Sequence, residues 1–73
     1  MTLTELQHIF RHQTTPDKDY TPSSTLDYIV INDRGRVPVS QPVDKMEDII
    51  ASLNGFVFEG YNNRTPIFIK PEV

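Results

Sequence analysis

The sequence predicts a small α+β domain, and three observations carry that reading. One stretch, residues 44–53 (DKMEDIIASL), has the periodicity of an amphipathic helix. Two segments, 25–40 and 56–70, each read as strand, turn, strand. A further short helix opens the chain. The order α-β-β-α-β-β places paired strands beside helices, the pattern of a small antiparallel or mixed four-stranded sheet with the central helix packed on one face. The connections are too short for several crossover units.

In the central helix, Met46, Ile49, Ile50 and Leu53 recur at i, i+3, i+4 and i+7 and form one apolar stripe. Asp44 with Glu47 three residues later has capping-box spacing. With Asp48, these carboxylates set negative charge at the positive end of the helix dipole. Asn54-Gly55 is the stop signal, since both residues tolerate the left-handed conformation that ends helices.

The first segment, residues 2–13, reads as a short helix with Thr2 and Glu5 at capping-box spacing. Leu3, Leu6, Phe10 and Ile9 supply its apolar side. A helix of about three turns is marginal alone and must dock on something. Residues 14–24 (TTPDKDYTPSS) carry two prolines among Thr, Asp and Ser and read as a loop. The expected organisation is therefore one domain, 1–73. A terminal helix, 1–13, is tethered by loop 14–24 to a ββαββ core, 25–73.

Leu26 to Ile31 is β-branched and aromatic, as strands are. Asn32-Asp33-Arg34-Gly35 is turn chemistry, with Gly35 free to take positive φ. The return strand holds Pro38, which removes a ladder donor and marks an edge. In the second hairpin, Phe56 to Tyr61 and Pro66 to Lys70 flank a turn at Asn62-Asn63-Arg64, and Gly60 marks a bulge. Asn63-Arg64-Thr65 also matches a glycosylation sequon, but reads here as part of that turn.

The strands do not alternate cleanly. Tyr28-Ile29-Val30-Ile31, Phe56-Val57-Phe58 and Ile67-Phe68-Ile69 are apolar on both faces, whereas a sheet with one wet face alternates. Both faces are thus expected to be covered. The central helix covers one, and the N-terminal helix covers part of the other. What that helix leaves open would be an apolar patch for another protein.

Composition excludes several functions. The chain has 73 residues, no cysteine and a net charge of −3. Disulfides and thiolate metal sites are excluded, and a reducing compartment, the cytoplasm, is expected. No apolar run is long enough to span a bilayer, and no signal peptide is evident. The acidic balance is the reverse of a general nucleic-acid binder. No serine stands in a nucleophile elbow. So small a domain has little room for a catalytic cleft, and no enzyme activity, catalytic residue or cofactor is expected.

Several residues invite a chemical reading. His8 and His12 at i and i+4 can chelate a metal, with Glu5 nearby and Asp17 and Asp19 available if the loop folds back. A biological site needs a third or fourth ligand and a supporting shell, so a solvent-facing pair is expected and no metal is assigned. Asp27, Asp33 and Glu59 could pair across strands, at distances sequence cannot set. Arg34 and Arg36 flank the first hairpin tip and Arg64 sits in the second. If the tips share an end, the three gather into a site for carboxylates, phosphates or a protein surface. Tyr28, Phe58, Tyr61 and Phe68 could stack bases on the sheet, giving an alternative function as a nucleic-acid-binding module that uses these aromatics and the turn arginines. No RNP-like motif accompanies them, and core packing is the expected role of the rings.

A very small acidic domain, a tethered helix carrying His8, Arg11 and His12, an arginine-tipped hairpin and no active site together resemble the small bacteriophage-encoded regulators that bind bacterial RNA polymerase. Size and build carry the resemblance. It implies a viral protein working in the host bacterial cytoplasm, with transcription inhibition or antitermination as its activity. The expected function is a monomeric, non-enzymatic interaction module that binds a larger protein complex. Its expected contact residues are Ile9, Phe10, Arg11, Arg34, Arg36 and Arg64.

Overall fold

The computed structural model describes residues 1–13, 25–42 and 45–71. Helix α1 spans Leu3–Ile9 and runs into a 3₁₀ turn, Phe10–His12. Strands β1 (Thr25–Asn32) and β2 (Gly35–Pro42) form the first hairpin. Helix α2 (Met46–Ser52) follows, then the second hairpin, β3 (Val57–Asn62) and β4 (Thr65–Ile69). The domain is α+β, as the sequence predicts, and its sheet is mixed, in the order β2-β1-β4-β3.

Local chemistry explains most boundaries. The Thr2 hydroxyl accepts from the Glu5 N–H at 3.2 Å and so caps α1. Lys45 stands at the N-cap of α2 with no side-chain cap bond. The expected cap, Asp44, lies outside the described residues, as does loop 14–24. Gly55 adopts φ +87 just past the end of α2, which fulfils the stop signal. In the first turn the Asn32 carboxamide accepts from the Arg34 N–H at 2.8 Å, and Gly35 takes φ +97. In the second turn Asn63 takes φ 59. The β3–β4 register slips between Phe58 and Gly60, leaving Glu59 as the extra residue of the expected bulge. Strand β2, with Pro38, is an edge.

The central pairing is the feature that organises the sheet. β1 and β4 run parallel, with Ile29 opposite Ile67, Val30 opposite Phe68 and Ile31 opposite Ile69. Each outer strand is antiparallel to its neighbour, so β2 and β3 run the same way on opposite edges. The link between them, which includes α2, crosses one face of the sheet.

Both helices pack on that face. Leu6, Ile9 and Phe10 of the N-terminal segment join Met46, Ile49 and Leu53 of the α2 segment over Leu26, Tyr28 and Phe68 of the sheet. Phe10, Tyr28 and Phe68 form a ring cluster with centroids 5.8–6.1 Å apart, two of the three contacts edge to face. Such pairs each add about 0.5–1.5 kcal/mol beyond area burial. This arrangement corrects the expectation that α1 covers part of the second face. It also corrects one member of the helix stripe: Leu3 is exposed, while Leu6, Ile9 and Phe10 are buried.

Candidate interaction surfaces

Two surfaces are left by this packing. The first is a groove of about 900 Å³ between α1 and the edge strand β3. Met1, Thr4, Glu5, His8, Ile9 and Arg11 form one wall, and Phe56, Val57, Phe58 and Tyr61 form the other. Its apolar side chains include Val57, Phe58 and Tyr61, at 47%, 37% and 41% exposure. Edge strands present such groups because they have a neighbour on one side only. The groove floor is continuous with the core, since Phe58 packs on Tyr61 at 5.1 Å and on Phe68 at 5.7 Å between ring centroids. The Tyr61 hydroxyl donates to the Ile9 carbonyl at 2.7 Å and ties the two walls together.

The second surface is the sheet face opposite the helices. The strand register lays it out in rows. Arg36, Ile31, Ile69 and Val57 form one row, and Pro38, Ile29, Ile67 and Gly60 the next. Ile29, Ile31, Ile67 and Ile69 are half-buried among their neighbours, and no described element packs over them. A depression of about 510 Å³ on this side is lined by Ile31, Arg36, Glu59, Gly60, Tyr61 and Ile67.

The residues expected to bind a partner are distributed over the molecule rather than gathered. Arg11 is exposed on the groove rim, and Ile9, though 8% exposed, contributes to the groove wall. Phe10 is fully buried. Its ring packs against Tyr28 and Phe68, which corrects its assignment as a surface contact. The three hairpin arginines do not meet as a group. The parallel β1–β4 pairing sends the first turn, with Arg34, to one end of the sheet and the second turn, with Arg64, to the other. Arg36 faces the open isoleucine rows. Val57 and Phe58 are not among the expected contact residues, because their exposure depends on β3 being an edge, which only the strand order reveals.

The rings proposed to stack bases also divide. Tyr28 and Phe68 are sealed in the core, and Phe58 and Tyr61 serve the groove. Burial holds the Tyr28 phenol above its ordinary pKa, partly offset by hydrogen bonds with Ser52 and Gln41. Asp27 lies near the start of β1 and Asp33 in the turn beyond its other end, too far apart to act as a pair, and Asp27 accepts from the Ser40 hydroxyl at 2.6 Å. Among the described residues no three His, Asp or Glu side chains come together as a metal site. Among them too, no helix is long and apolar enough to cross a membrane.

Comparisons of the chain with family models, with curated proteins and with solved structures find no match. The functional reading therefore rests on the surfaces themselves.

Proposed function

We propose that this chain is a non-enzymatic interaction module that regulates a larger protein complex by occupying part of its surface. The observation that carries the reading is the α1–β3 groove. It is apolar along β3, ringed at α1 by Arg11, His8 and Glu5, and continuous with the core. A groove of this kind suits an apolar segment of a partner protein with an acidic side chain beside Arg11. Aromatic and arginine anchors of this sort dominate interface energetics. The aromatic side chains supply contact area, and the arginine fixes orientation and hastens encounter.

The resemblance to small phage regulators nominates bacterial RNA polymerase as the partner, with inhibition of initiation or antitermination as the consequence. The test is titration of isotope-labelled protein with purified polymerase. The reading expects saturable changes at the amides of Arg11, Val57 and Phe58. It also expects Phe58→Asp and Arg11→Glu to weaken binding by at least about tenfold, the scale of an interface anchor. Full-strength binding by both variants would exclude the groove. An unperturbed spectrum at saturating polymerase would exclude that partner.

A further inference from the structure

We infer that the sheet face left uncovered by the described elements is a self-association surface, and that a second copy of this chain covers it in a two-fold, face-to-face dimer. This goes beyond the proposed function and uses the opposite side of the sheet from most of the groove.

Charged residues flank the isoleucines of this face on both edges. The four isoleucines lie on the two central strands, Ile29 and Ile31 on β1 and Ile67 and Ile69 on β4. On one flank, edge strand β2 places Arg36 beside Ile31. On the other flank, edge strand β3 places the bulged Glu59 between Val57, beside Ile69, and Gly60, beside Ile67. Arg36 and Glu59 both line the depression on this side of the sheet. The face therefore carries an apolar centre, one cation on one edge and one anion on the other.

That pattern is self-complementary under one operation. A two-fold axis parallel to the strands, between β1 and β4, lays β2 of each copy over β3 of the other. Isoleucine rows then meet isoleucine rows, and Arg36 of each copy faces Glu59 of its mate, twice per dimer. An axis perpendicular to the strands would set β2 over β2 and bring like charges together. Isologous two-fold contacts are the commonest in soluble oligomers. Sheets stack face to face at about 10 Å, within reach of an arginine and a glutamate extended toward each other. The bulge has a role in this account: it leaves Glu59 as the unpaired residue on the edge that Arg36 must meet. A self-complementary face of this kind argues against the monomer expected from the sequence.

The test is sedimentation or light scattering across a concentration series, on wild type, R36E, E59R and an equimolar mixture of the two variants. Circular dichroism serves as the fold control. Wild type is expected to dimerise as concentration rises. Each variant alone places like charges together at both contacts and is expected to lose at least about tenfold in association. The mixture is expected to recover it, because a heterodimer of R36E with E59R has opposite charges at both contacts. An ion pair within one chain would not be repaired by mixing. A wild type that stays monomeric to roughly millimolar concentration, where even a weak specific contact populates, would overturn the inference. So would a folded pair of variants that dimerise unchanged, or a mixture that stays monomeric. If either charge variant fails its fold control, I67K decides, since Ile67 lies on the open face: a folded I67K that still dimerises overturns the inference, and a monomeric one supports it.

Discussion

Gln13 illustrates how much a single amide can organise. Its Nε2 donates to the Asp27 carbonyl at 2.8 Å and to the Arg64 carbonyl at 3.0 Å, and its Oε1 accepts from the Asp27 N–H at 2.9 Å. The described β1–β4 pairs begin only at Ile29 and Ile67, so the side chain extends the ladder where the strands have not yet met. It also fastens the end of the N-terminal helical segment to both hairpins. Sequence showed a polar residue at a helix end and nothing more, because its partners lie 14 and 51 positions away. Net values of about 0.5–1.5 kcal/mol per bond, partly shared, predict that Gln13→Leu costs roughly 1–3 kcal/mol in urea unfolding. Gln13→Glu keeps the acceptor but sets a carboxylate against two carbonyls. It should be destabilising at neutral pH and regain stability as acid protonates it.

Tyr28 gives a second prediction at this scale. Its folded pKa is raised from 10.0 because burial disfavours the phenolate. A raised folded value means the unfolded chain releases the proton first as pH climbs. The stabilisation is therefore complete below about pH 10 and lost as pH rises through the folded value. Urea midpoints should fall above that pH in wild type. Tyr28→Phe should flatten this part of the fall, while giving up about 1 kcal/mol at neutral pH with the hydroxyl's hydrogen bonds.

Among the elements, α1 departs most from its reading in the sequence. The Thr2 cap and the burial of Leu6 were legible from spacing. The sequence nevertheless predicts a tethered appendage, since periodicity identifies an apolar side without saying what it meets. In the fold it is a wedge in the core: Leu6 is fully buried, and Phe10, in the 3₁₀ turn that continues the helix, packs against two sheet aromatics. Leu6→Ala should therefore cost about 2–5 kcal/mol, enough to unfold much of so small a domain. Leu3→Ala, at a position 40% exposed, should cost well under half as much. Thermal melts of the two variants check the contrast. The turns and the bulge were legible because Asn32, Gly35, Gly55 and Gly60 act through local backbone geometry. The pairing of β1 with β4 was not, because nothing local distinguishes parallel from antiparallel contact between two apolar strands.

At the scale of the molecule, that one pairing decides the rest. It separates the hairpin tips and so disperses the arginines. It also makes β2 and β3 parallel edges, whose link carries α2 over the same face that α1 occupies. The strands were written with apolar residues on both sides, and the helices cover only one. The other candidate surface, the groove, exists because α1 stops at the edge formed by β3.

The half-buried isoleucine face, which no described element covers, is the claim on which the account turns, and methyl NMR in dilute solution with a soluble paramagnetic probe reads it directly. The methyl groups of Ile29, Ile31, Ile67 and Ile69 should be strongly relaxed by the probe, while those of the buried Ile49 and Leu6 should not. Equal protection of all six residues in the monomer would contradict the account.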